Sequence, residues 1–151
     1  MSLSHLIYIS QSCINPQRVD AELDSIRRAA SRNNAAVEVT GLLLYNAGCF
    51  LQLLEGEDRR LVALYDRLAE DQRHSDLQRL IFQDAEVRLF PGWEMGVVNL
   101  DQASALEQRR FASLAGACRL APRRAQIAQL YQEFRRQLPA MPAVAQLELS
   151  T

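Results

Sequence analysis

Residues 41–56, GLLLYNAGCFLQLLEG, constrain the chain more than any other stretch. Two apolar runs flank Asn46-Ala47-Gly48, a short turn that tolerates positive φ, so residues 37–45 and 49–54 are predicted to pair as a β-hairpin. One side chain is out of keeping with its neighbours. Gln52 sits among leucines, and its amide brings two donors and two acceptors into surroundings where water cannot satisfy them. A buried partner for Gln52 is therefore required.

The hairpin lies between strand–helix units. Residues 5–11, HLIYISQ, are rich in aromatic and β-branched types and alternate Leu6, Tyr8 and Ser10 with Ile7 and Ile9, which predicts a first strand. Asn15 followed by Pro16 reads as an N-cap and first helical turn. Val19, Leu23, Ile26 and Ala30 then recur at helical spacing, in a helix predicted to end within residues 31–34. Residues 58–71 carry a second stripe, Leu61, Leu64, Tyr65 and Leu68, with acidic residues at the end where the helix dipole favours them. A strand is expected around residues 80–82, and Trp93, Met95 and Val97 alternate with Glu94, Gly96 and Val98 in another. The order β-α-β-β-α-β with a further strand describes an α+β, ferredoxin-like sheet with two helices on one face.

Beyond residue 100 the pattern changes. Residues 103–117 are alanine-rich and helical, and Pro122 opens a second helix with the stripe Ile127, Leu130, Tyr131, Phe134 and Leu138. Two such helices are too small for a core of their own, so they are expected to dock on the open face of the sheet or on another subunit. The organisation read here is a domain over residues 1–100 and a helical extension and tail over residues 101–151.

Charge and cysteine usage exclude several classes. The 17 basic and 18 acidic side chains are interspersed, without the basic stripe of a nucleic-acid footprint. Cys13, Cys49 and Cys118 are odd in number and lack a C-x-x-C pair, which speaks against a disulfide framework or a zinc site. No apolar run is long enough for a signal-peptide core or a membrane span, so a cytoplasmic protein without nucleic-acid or membrane partners is expected. Serine-hydrolase, zinc-protease, P-loop and dinucleotide-binding motifs are all missing from the sequence.

What remains is a set of residues that could converge: Tyr8, Asn33, Asn34, Gln52, Arg73, His74, Trp93 and Met95. Each has a plainer reading. Tyr8 suits a core tyrosine with its hydroxyl at the rim. Asn34 reads equally well as a helix C-cap or a ligand contact, Arg73 and His74 as surface residues, and Trp93 and Met95 as core.

Separated motifs stand in order along the chain: Tyr8-Ile9-Ser10, Arg32-Asn33-Asn34, Val39-Thr40-Gly41-Leu42-Leu43, Phe50-Leu51-Gln52, Leu54-Glu55-Gly56, residues 71–74, Arg88-Leu89-Phe90 and Trp93-Glu94-Met95-Gly96. Taken together they give the chain a resemblance to the BLUF family, blue-light sensors that use flavin. The resemblance implies a ferredoxin-like fold that binds FAD, or alternatively FMN or riboflavin, between its two helices and the sheet. It implies that Val19, Leu23, Ile26, Leu61 and Leu64 wall the ring, and that Asn34, with Asn33 beside it, bonds the ring's polar edge. Gln52 then bridges flavin and Tyr8, and Arg73 and His74 approach the pyrimidine side. It assigns the photochemistry to Tyr8 and Gln52 and the switch to Trp93 and Met95. The signal is expected to reach a separate partner protein or a homo-oligomer interface through the terminal helices. A flavin-dependent electron-transfer enzyme and a flavin-free interaction module are the alternative readings of the same residues.

Overall fold

A computed structural model describes residues 2–92 and 94–110. Trp93 and the second predicted terminal helix lie outside the described residues. In chain order the elements are β1 (Leu3–Ser12), α1 (Val19–Ala36), β2 (Thr40–Asn46), β3 (Cys49–Glu57), α2 (Asp58–Ala69), β4 (His74–Asp84), β5 (Gly96–Asn99) and α3 (Ala105–Arg110). The sheet runs β4-β1-β3-β2-β5. Neighbours are antiparallel except β2 and β5, which are parallel. This is the expected ferredoxin-like frame with one added edge strand.

The hairpin forms where its turn chemistry demands. Asn46 pairs with Cys49, and the two residues between them, Ala47 at φ 48° and Gly48 at φ 80°, take the left-handed conformation of a tight hairpin turn. Gly41 has a different reason to be glycine: a Cβ there would stand 2.1 Å from the Leu53 carbonyl oxygen. Both faces of these central strands are buried. Leu6, Tyr8, Leu43, Phe50 and Leu54 face the helices, while Ile7, Ile9, Leu42, Leu51 and Leu53 face away, where Phe90 and Leu100 pack on them. The period-2 alternation of a strand thus becomes two apolar layers.

Several boundaries move, each for a local reason. Asn15 does cap, its Oδ1 accepting from the Gln17 N–H at 3.0 Å, but residues Pro16–Arg18 form a 3-10 turn before α1 begins at Val19. α1 then runs past the predicted end. Asn34 lies inside its last turn, so the C-cap reading is wrong; Val37 is the C-cap, and Glu38, at φ 55°, takes the left-handed position. The chain between α1 and β2 is therefore a turn, and β2 starts at Thr40 rather than at 37.

The last strand starts later than predicted, at Gly96, so Met95 precedes it. The segment from 85 to 95 must cross from β4 at one sheet edge to β5 at the other. Side-chain bonds rather than a β-ladder hold its described residues. Met95 nevertheless keeps the predicted alternation with Val97, and both belong to the helix-side core.

Candidate functional site

The β1–β3 register sets Tyr8 directly opposite Gln52, and the β3–β2 register sets Gln52 opposite Leu43. Side chains opposite one another on a sheet face are in contact range. The Tyr8 hydroxyl donates to Gln52 Oε1. Gln52 Nε2 in turn donates to the Met95 thioether sulfur at 3.2 Å. All three side chains are buried, at 2%, 5% and 1% exposure, so this chain of bonds is shielded from water. Burial pushes the Tyr8 phenol far above its usual pKa, and the nearby Asp71 carboxylate pushes the same way. Tyr8 therefore stays protonated and acts as a donor. A thioether is a weak acceptor, and the amide nitrogen has a second hydrogen, so the nitrogen end of Gln52 is far less well satisfied than its oxygen.

Beside this chain of bonds is a cavity of about 250 Å³ bounded by α1, α2 and the sheet. Tyr8, Gln52, Leu43 and Phe50 supply its floor, and Met95 closes one side. Ile26, Ala30, Asn33 and Asn34 reach it from α1, and Leu64, Arg67 and Leu68 from α2. Ligand cavities run from about 300 to 1,000 Å³, so this one suits a fused ring system rather than a whole dinucleotide. Asn34 is 3% exposed. Its Nδ2 donates to the Glu94 carbonyl at 2.9 Å, which leaves its oxygen as an acceptor for a ligand.

Leu23 and Leu61, predicted with Val19 to wall the site, instead pack with it in the helix-side core, and none of the three lines the cavity. Leu23 and Leu61 each lie three residues before a neighbour on the wall, Ile26 or Leu64. The apolar stripe of each helix is broad enough to serve core and cavity with different turns.

At one end of the cavity stand Asp71, Arg73 and His74. Asp71 accepts from the Arg73 backbone N–H at 2.9 Å and from the guanidinium through both carboxylate oxygens. The Arg73 side chain holds the Asp71 carboxyl below its usual range. With the Arg73 side chain 37% exposed, the pair contributes no more than about 1 kcal/mol, and its effect is mainly to aim the guanidinium. His74 is not the surface residue its sequence context suggests. Its Nε2–H donates to the Leu68 carbonyl at 2.5 Å, and Nδ1 shares a hydrogen bond with the Ser10 hydroxyl at 2.8 Å. Both ring nitrogens are thus occupied by the protein.

The cavity also brings in residues that sequence reasoning had not assigned to the site, among them Ala29, Phe50, Arg67 and Asp71. A signal for some of them was available. Ala29 lies three residues after Ile26 on α1 and Arg67 three after Leu64 on α2, so each shares a helical face with a predicted wall residue.

Fold and site define a ferredoxin-like α+β domain with a buried tyrosine–glutamine pair beneath two helices and a ring-sized cavity beside it. The chain belongs to the BLUF family, described as sensors of blue-light using FAD, whose model matches residues 3–96. It is 39% identical over 90 residues to the photoactivated adenylate cyclase subunit beta of Euglena longa, a match covering 60% of this chain and 10% of that protein. It is 33% identical over 88 residues to the blue light- and temperature-regulated antirepressor BluF of Escherichia coli, covering 58% of this chain and 21% of that one. The chain thus spans a small part of these relatives' length. Among solved structures, the dark state of the BLUF protein BlrB superposes with a TM-score of 0.68 at 25% identity, covering 90% of this chain and 97% of that one. No helix among the described residues is long and apolar enough to cross a membrane.

Proposed function

We propose that this chain senses blue light through an oxidised flavin bound non-covalently in the cavity between α1, α2 and the sheet. FAD is the form in the family description, and FMN and riboflavin carry the same ring. The observation that carries this reading is the amide of Gln52, whose oxygen is bonded by Tyr8 while its nitrogen has a weak sulfur partner at the cavity edge. A polar atom on the ring edge is a better acceptor for that N–H than a thioether, and the Asn34 oxygen suits a ring N–H. Ile26 and Leu64 supply apolar walls. Burying about 300 Å² of ring contributes roughly 7 kcal/mol before the costs of association. Arg73, its guanidinium aimed by Asp71 at one end of the cavity, is the cation for a carbonyl on the ring, whereas His74 acts by holding α2 and β1 together.

When bound and excited, a flavin supplies a strong oxidant. Tyr8 would be the electron donor beside it, and the existing bond would let its hydroxyl proton move to Gln52 Oε1; return of both to Tyr8 would leave no net oxidation. Gln52 is left rotated or tautomerised, with donor and acceptor ends exchanged. In that arrangement its nitrogen no longer serves Met95, and Met95 with the head of β5 becomes the element that responds. The signal passes through β5 and the helical extension to a separate partner or to a second copy of the chain.

The test is spectroscopic. Purified protein should be yellow and should show a reversible red shift under blue light, and Tyr8→Phe should keep the flavin and lose the shift. A normal photocycle in that variant removes Tyr8 from the mechanism. Reduction of the flavin by a substrate in the dark supports the electron-transfer enzyme instead, and a colourless protein after flavin addition supports an interaction module.

A further inference from the structure

Among the described residues between β4 and Gly96 there is no β-ladder, yet the segment delivers the Met95 thioether to within 3.2 Å of Gln52. A fully buried carboxylate fixes where it crosses the sheet. Glu55 Oε1 accepts from the Phe90 backbone N–H at 2.7 Å and from the Thr40 hydroxyl at 2.8 Å. Its Oε2 accepts from the Leu89 backbone N–H at 2.6 Å and lies 3.1 Å from His5 Nε2. Arg88 reinforces the same point, donating to Thr40 Oγ1 at 2.8 Å, to the Glu55 carbonyl at 3.2 Å and to the Glu38 carbonyl at 2.8 Å.

The Leu89 and Phe90 N–H groups and the Thr40 hydroxyl all present donors to the Glu55 carboxylate, a demand that an acceptor-only group meets in full. Burial alone would raise its pKa, but the nearby His5 ring and the bonds from Leu89, Phe90 and Thr40 outweigh burial and hold it below the usual range. Glu55 and Gln52 are three residues apart on β3 and so point to opposite faces. One strand therefore holds the crossing segment at both ends: Glu55 at Leu89 and Phe90, Gln52 at Met95.

We propose that Glu55 is a positioning residue for the light switch: by clasping the crossing segment to β3 it sets the Met95 thioether against the Gln52 amide, and so biases the two arrangements of that amide. This rests on the light-sensor reading above. In Glu55→Gln the substituted amide presents one acceptor where two oxygens are needed and turns its own N–H groups toward donors.

The test is a double-mutant cycle with two readouts. Glu55→Gln should remain yellow, and its dark recovery rate after a blue-light pulse should change by at least about fivefold. In a Met95→Ala background the same substitution should change the rate by less than about twofold, because the residue it acts through is gone. An unchanged rate, or an equal change with Met95 absent, overturns the proposal. The second readout needs no photochemistry: with methyl-labelled methionine, the Met95 resonance should shift or split in Glu55→Gln protein kept dark. An unmoved resonance refutes the clasp even if the protein proves insensitive to light, whereas a moved resonance without any red shift in the parent protein keeps the clasp and removes the sensor reading. Should Glu55→Gln fail to fold, Arg88→Met loosens the same clasp and must meet the same criteria.

Discussion

Tyr8 and Gln52 make a prediction about stability that needs neither light nor flavin. Tyr8→Phe removes the hydroxyl and leaves Gln52 Oε1 as a buried acceptor without its partner, at 5% exposure for the residue. Gln52→Leu leaves the Tyr8 hydroxyl stranded at 2% exposure. Each single substitution should cost about 1–3 kcal/mol, the penalty of an unsatisfied buried group. Replacing both at once leaves two apolar side chains of similar shape, which is close to neutral. The losses should therefore not add: the double variant should be more stable than the sum of the singles predicts, by about 2–6 kcal/mol, the two single losses together. Urea unfolding of the flavin-free protein in the dark measures this. With a slope of about 2 kcal/mol/M, each single variant should lower the midpoint by roughly 0.5–1.5 M, with the double variant near the parent protein. Additive losses would show that the two side chains are not each other's partner and would sink the bond network from which the switch is built.

Other consequences separate wall from core and clasp from surface. Asn34→Ala should weaken flavin binding by a factor of roughly 5 to 150, the equivalent of about 1–3 kcal/mol for a lost buried bond, as read by fluorescence titration. Ala30→Phe should fill the cavity and leave a folded protein that takes up no flavin. Leu61→Ala, at a core position outside the cavity, should instead lower stability by about 2–5 kcal/mol while the remaining folded protein still turns yellow. Glu55 predicts an acid limb. Its pKa is lowered on folding, so its contribution is complete above the unfolded value of about 4.3 and is lost as pH falls through the lower folded value. Glu55→Gln should flatten the fall in stability below about pH 4, measured by unfolding at fixed ionic strength.

How much of this was legible depends on the range of the interaction. The hairpin and the isolation of Gln52 could be read directly because turn chemistry and period-2 alternation are local. The β1–β3 register that pairs Gln52 with Tyr8 is not local, and it was reached through the family resemblance rather than through any pattern in either strand. Asn34 misled as a cap because asparagine favours the left-handed conformation, whereas that position falls to Glu38, four residues on. Leu23 and Leu61 share an apolar stripe with Ile26 and Leu64, and periodicity alone does not divide such a stripe between core and cavity. The crossing segment was the least legible element. Glu55 and Asn34 hold it from elsewhere in the fold, and its own Arg88 reaches partners distant in sequence, so its sequence could suggest an early strand start but not the place where it is clasped.

The most direct measurement is the light-minus-dark absorption difference of flavin-loaded Gln52→Leu beside that of the parent protein. If the Gln52 amide stores the light signal, the parent protein shows a reversible red shift, and the variant binds flavin but shows none. A persistent light-induced red shift in the variant would contradict the switch, because no donor and acceptor ends remain at that position to exchange.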